Sequence, residues 1–186
     1  MAYINVIEPE NASGKLKSIY IELERKRGKV ASIHKIQSLN PDTITTHMDL
    51  YMSIMFSKSP LSRAQREMMA VVVSAQNECE YCIKHHGEAL NHYWKDSEKV
   101  DRLSKDFNHV DLTDAEVFLC RLAQHLTLYP NRMDEKRDLD PLRNKGLSDR
   151  AILDAVLVIS YFNFVNRIVL GLGVEPNEEE VRGYKY

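Results

Sequence analysis

Apolar side chains recur along this chain at intervals of three and four residues, and no segment alternates convincingly with period two. Between Asn11 and Arg27, Leu16, Ile19, Tyr20 and Leu23 fall at i, i+3, i+4 and i+7 with Gly28 just beyond, which predicts an amphipathic helix and its stop. Ile33, Ile36 and Leu39 mark a shorter helical piece. Asn40-Pro41 then opens a helix to about Ser57, with Ile44, Met48, Tyr51 and Met55 on its inner face and Ser59-Pro60 after it. Ser62 followed by Gln65 has the spacing of a capping box and introduces a buried helix from Arg63 to about Ala75. Asn77 is placed to cap the next helix, Glu78 to Trp94. A second capping box, Thr113 with Glu116, opens a helix carrying Val117, Cys120, Leu122, Ala123 and Leu126 and ending near Tyr129-Pro130. Asn131 to Leu139 reads as a charged turn, Pro141 to Asn144 as a short helix closed by Gly146, and Ser148 as the cap of the last long helix. The tail from Glu175 to Tyr186, with its run of three glutamates, reads as exposed or wrapped on a partner subunit.

Composition agrees with that all-helical pattern. The 186 residues are 44% hydrophobic and only 8% aromatic, with 7 glycines and 6 prolines, too few turn formers for a sandwich or barrel of short strands. The length fits a single domain spanning 1–186. A formal charge of −2 argues against nucleic acid as a partner. The first residues lack a basic segment followed by an apolar one, so a cytoplasmic location is expected. The apolar stretch Ala155–Leu172 is interrupted by Ser160, Asn163, Asn166 and Arg167 and reads as a buried helix, with no membrane role.

The chain also repeats itself. At an offset of 86, Leu61-Ser62 recurs as Leu147-Ser148, and Val72, Ser74 and Asn77 recur as Val158, Ser160 and Asn163. Segments 61–77 and 147–163 therefore read as a duplicated helical unit. Val165 stands where the first copy has Cys79, and Leu153 where it has Glu67, so any chemistry lies in the first copy.

That chemistry centres on Glu78-Cys79-Glu80-Tyr81-Cys82-Ile83-Lys84-His85-His86. An odd total of three cysteines does not describe a disulfide scaffold, and the close pair calls for a redox or metal reading. On a helix Cys79, Cys82 and His86 share one face, while His85 points away. A thiol in a first helical turn meets unsatisfied N–H donors and the positive dipole end, which favour the thiolate. Such a thiolate attacking a peroxide becomes a sulfenic acid, which the neighbouring thiol converts to a disulfide with loss of water. A zinc site from Cys79, Cys82 and His86 is the metal alternative, but a tetrahedral structural site needs a fourth ligand, and no metal is expected. Ile83 after Cys82 excludes haem attachment of the C-x-x-C-H type. Cys120 and the methionines Met48, Met52, Met55, Met68 and Met69 read as core. Asn163, Asn166 and Arg167 are expected to tie helix ends together or line a subunit contact, with a border of a substrate channel as the lesser alternative for Asn166 or Arg167.

Glu67, followed by Cys79-x-x-Cys82 and His86, resembles the E-x11-C-x-x-C-x3-H signature of the alkyl hydroperoxidase AhpD-like proteins in the carboxymuconolactone decarboxylase superfamily. The flanks Pro60-Leu61-Ser62 through Asn77 and Phe162-Asn163-Phe164-Val165-Asn166-Arg167 resemble its peroxidase-related branch. The resemblance implies an all-α AhpD-like bundle with a duplicated unit, a homo-oligomer, and a thiol-dependent peroxidase working without cofactor. It also implies roles: Cys82 attacks a hydroperoxide or other small oxidant, Cys79 resolves, Glu67 and His86 relay protons, and a dithiol reductant recycles the pair. Tyr81 departs from the pattern, standing where AhpD has a histidine. A phenol with an ordinary pKa of about 10 donates a hydrogen bond but is a poor base near neutrality. Two alternatives stay open, a helical oligomer using the Cys79, Cys82 and His86 cluster as a metal or structural site, and a carboxymuconolactone decarboxylase-type enzyme.

Overall fold

A computed structural model describes residues 2–181, and within them all regular structure is helical. The helices are α1 (Gly14–Arg27), α2 (Ser32–Lys35), α3 (Pro41–Met55), α4 (Arg63–Gln76), α5 (Glu80–Trp94), α6 (Ser97–Lys105), α7 (Asp114–Leu128), α8 (Asp140–Asn144), α9 (Asp149–Leu172) and α10 (Glu178–Val181). Both capping boxes form, with Gln65 and Glu116 each returning a side-chain bond to the cap backbone of Ser62 and Thr113. α6 has no counterpart in the sequence reading, although Asp96 caps it through the Lys99 N–H at 2.9 Å and Val100 and Leu103 point inward.

α4 is the centre of the bundle. α5, α6, α7 and α9 all pack against it, and its residues from Arg66 to Ser74 are buried without a break. An unbroken buried run is what a helix surrounded on several sides requires, in place of a single apolar stripe. Met68, Met69, Val71 and Val73 meet Phe162, Val158 and Ile159 of α9 and Leu119 and Leu122 of α7 in one continuous core. A smaller core of Leu16, Tyr20, Leu23 and Ile44 holds α1 on α3. Met55, Met68 and Met69 are core as expected, but Met52 is exposed in a groove between α1 and α3. α9 is long and apolar enough to cross a membrane by composition alone, yet residues such as Ala155, Val158, Phe162 and Val169 are used inside the bundle.

Segments 61–77 and 147–163 open alike: Ser62 and Ser148 each accept a hydrogen bond from the N–H three residues on. α4 and α9 are also tied by amides. Asn77 donates to Asn163 and Asn166 at 3.1 and 3.0 Å, Asn163 donates to Thr127 at 3.0 Å, and Arg167 reaches back to Asn163. These residues lock helix ends, as anticipated.

The tail departs from expectation. α10 returns to the bundle and packs on α5, and Glu180 is buried at 8% exposure against α2 and α5. A carboxylate that collects several donors is more stable inside than the charge run alone suggests. Residues 182–186 of that tail lie outside the described residues.

Candidate active site

The turn between α4 and α5 sets the cysteines. Asn77 ends α4 instead of capping α5, Glu78 adopts φ 55°, and the N–H groups of Glu78 and Cys79 bond back to the carbonyls of Ala75 and Ser74 at 3.0 and 2.9 Å. This doubly bonded helix ending normally takes glycine at its left-handed position, and Glu78 adopts it at a cost of about 1 kcal/mol. The next helix therefore starts at Glu80, with Cys79 at its cap and Cys82 in its first turn.

Both thiols are free, buried and within hydrogen-bonding contact of each other. The Cys82 thiol, aided by the Cys82 N–H, holds the Cys79 pKa below its ordinary value despite burial. Cys82 is pushed well up by the Cys79 sulfur and by burial, with the Asn166 amide pulling the other way. Of the two, Cys79 is therefore the thiol that gives up its proton first. Both cysteines are almost completely buried, but only Cys82 is among the residues that line the neighbouring cavity.

Glu67 and His86 do come together. His86 Nδ1 lies 2.7 Å from Glu67 Oε2, and the carboxylate is fully buried. Burial alone would raise the Glu67 pKa, but His86 and Arg63 outweigh it and hold the group ionised. Arg63 donates to Glu67 Oε1 through Nε at 3.0 Å and Nη2 at 2.6 Å, and to the Met55 carbonyl at 2.6 Å. A carboxylate clamped in this way orients an imidazole, much as a buried aspartate fixes a catalytic histidine, and is a poor carrier of protons itself. His86 Nε2 is left as the nitrogen that can exchange a proton. Arg63 escaped the sequence reading, although its i,i+4 spacing to Glu67 was the available signal.

Tyr81 is buried and already engaged: its hydroxyl donates to Glu180 Oε1 and accepts from the Ile33 N–H at 3.3 Å. His85 turns inward, contrary to expectation, because its Nδ1 bonds the Tyr81 carbonyl at 2.7 Å and its ring lies 4.1 Å from that of Tyr81. Its Nε2 is 3.4 Å from Glu180 Oε1. Burial opposes ionisation of Glu180, but His85, Ser32 and Tyr81 bring its pKa down to about 2.

A cavity lies between α3, α5 and α9. Tyr51, Tyr161, Phe162 and Met48 make it largely apolar, Cys82 and His86 lie at one side, and Arg27 and Lys29 are at its edge. His34 and His47 also face it, and burial lowers their pKa values to about 3 and about 4. Both rings are therefore neutral at pH 7, and the unfolded chain takes up protons near pH 6.5 before the folded one does. Stability is complete above that pH and is lost as pH falls toward 4, by roughly 3 kcal/mol for His47 alone. Glu180 adds a loss between about 4.5 and 2. Urea unfolding at pH 7, 5.5 and 4.5 measures this, and His47→Gln is expected to flatten the profile between pH 6.5 and 4.

Among the described residues no three His, Cys, Asp or Glu side chains converge as metal ligands, and His86 is turned to Glu67. Cys120 is fully buried among core residues, with burial driving its pKa far up, as suits an inert thiol.

Residues 41–103, which include Glu67, both cysteines and His86, match the carboxymuconolactone decarboxylase family model. The chain is 28% identical over 120 residues to YdfG, an uncharacterised protein of Bacillus subtilis strain 168, a match covering 62% of this chain and 78% of that one. Among solved structures, the AhpD-core peroxidase-related protein of Ralstonia eutropha JMP134 superposes with a TM-score of 0.87 at 24% identity, over 99% of this chain and 98% of that one. A peroxidase-related protein of Silicibacter sp. TM1040 gives 0.83 at 27% identity, over 96% and 90%.

Proposed function

Starting from this chain's membership of the AhpD-like carboxymuconolactone decarboxylase superfamily, we propose that it is a dithiol peroxidase acting on small organic hydroperoxides. Membership supports a peroxidase-related or decarboxylase-type activity, and the choice between them rests on the cysteines. One observation carries it: Cys82 lines an apolar cavity, and Cys79, in hydrogen-bonding contact with it, is the more acidic thiol of the pair. Lactone decarboxylation has no use for such a pair.

The steps balance. Cys79 thiolate takes the Cys82 proton as Cys82 sulfur attacks the terminal oxygen, so an S–O bond forms, the O–O bond breaks and an alkoxide leaves. The Asn166 amide steadies the Cys82 charge, and His86 Nε2, oriented by Glu67, passes a proton from solvent water to the alkoxide, which leaves as an alcohol. Cys79 then attacks the Cys82 sulfenic acid, releasing water and leaving a disulfide. A dithiol reductant in a reducing cytoplasm returns the pair to thiols. A homo-oligomer belongs to the same reading, with the half-exposed Leu153, Leu157 and Phe164 of α9 as its support. Tyr81 acts by position, fixing the first turn of α5 against Glu180.

The test is stoichiometric. Reduced protein without any donor is expected to consume one equivalent of cumene hydroperoxide and lose two titratable thiols, with the Cys79–Cys82 disulfide identified by peptide mapping. Unchanged thiols after prolonged exposure would overturn the proposal.

A further inference from the structure

In the wall of the same cavity, a chain of polar groups fixes the direction of a hydroxyl. Gln37 Nε2 donates to the Ile33 carbonyl at 2.6 Å and lies 2.9 Å from His47 Nδ1. A backbone carbonyl only accepts, so the amide must present its NH2 to both, and His47 Nδ1 must accept. The neutral ring then carries its proton on Nε2, 2.7 Å from the Tyr161 hydroxyl oxygen. Burial keeps the imidazole uncharged, with a pKa of about 4, and keeps Tyr161 a phenol. Because Tyr161 accepts from His47, its own proton is not used in that bond. No described residue accepts it, and Tyr161 lines the same cavity as Cys82, within electrostatic reach of that thiol.

We propose that Tyr161 is a catalytic residue, its hydroxyl aimed by His47 and Gln37 into the cavity to donate a hydrogen bond to the leaving oxygen of the hydroperoxide attacked by Cys82. The assignment rests on the peroxidase reading above. In the transition state the O–O bond breaks and negative charge grows on that oxygen; a fixed donor in an apolar cavity favours that charge without reorganising. Tyr161 keeps its proton throughout, and the proton that completes the alcohol comes from solvent water by way of His86. His47 and Gln37 are positioning residues, since they act on substrate only through Tyr161. The arrangement selects electrophiles that leave as an oxygen anion over those that leave as sulfur.

The experiment compares two oxidants of the same reduced protein in single-turnover stopped flow, cumene hydroperoxide and excess cystamine, a small linear disulfide. Tyr161→Phe is expected to slow the hydroperoxide reaction ~10–100-fold and to leave disulfide exchange within about twofold. Gln37→Leu, outside the cavity lining, is expected to slow the hydroperoxide reaction in the same selective way. It should also shift the His47 ring nitrogens from the Nε2-protonated form in 15N spectra. Equal slowing of both reactions, or hydroperoxide reduction by Tyr161→Phe at the wild-type rate, would overturn the assignment while leaving the peroxidase reading intact. Wild-type protein that exchanges with the disulfide but ignores the hydroperoxide would overturn both.

Discussion

Cys82→Ser is expected to abolish hydroperoxide reduction, with a loss of at least about 10³-fold, while Cys79→Ser still performs one oxidation and stops at the sulfenic acid. The asymmetry follows from access and charge. Both thiols are buried, but only Cys82 lines the cavity by which a substrate would arrive. Cys79 is the more acidic thiol, so on the proposed route Cys82 reacts by passing its proton to Cys79. Cys79→Ser removes that acceptor as well as the resolving thiol, so its single oxidation should be slower than in the wild type by about 10–100-fold. Thiol alkylation and single-turnover peroxide assays measure both. Equal rates for the two variants would contradict this division of roles.

Glu67→Leu carries the second large effect. The wild-type carboxylate is fully buried, and Arg63 and His86 are the two groups that hold it. Removing one member of a buried ionic cluster leaves its partners desolvated without compensation, and the expected cost is about 3–5 kcal/mol in urea unfolding. Activity should fall about 10²–10⁴-fold, because His86 loses the acceptor that fixes its ring. The double variant Arg63→Met, Glu67→Leu separates the two losses. With both charges gone, an apolar pair of similar volume should recover most of the stability. It should recover none of the activity, since His86 remains unoriented. If the double variant regained both, Glu67 would be structural only.

The site was legible in the sequence where its signal is local. The spacing of Cys79, Cys82 and His86 and the capping boxes at Ser62 and Thr113 depend on the geometry of one or two helical turns, and those features formed. Even there, a left-handed Glu78 moved the start of α5 by two residues, because nothing about a glutamate announces that conformation. Asp96 and the inward pair Val100 and Leu103 are a local signal for α6, a capping residue followed by apolar positions three apart. Glu180, 99 residues from Tyr81, and His47, 114 residues from Tyr161, meet their partners only after the bundle closes. The glutamate run looked like a solvated tail, and His85 looked outward, because the charge that draws each of them in arrives from the other end of the chain. Asn166 was read as a helix tie, which it is, and its second role beside Cys82 follows from its place one turn after the core residue Phe162.

Which sulfur is oxidised first decides the account. Cys79→Ser protein treated with one equivalent of cumene hydroperoxide in the presence of dimedone, then digested and mapped by mass spectrometry, is expected to carry a single adduct on Cys82. An unmodified Cys82, or an adduct at Cys120 instead, would contradict it.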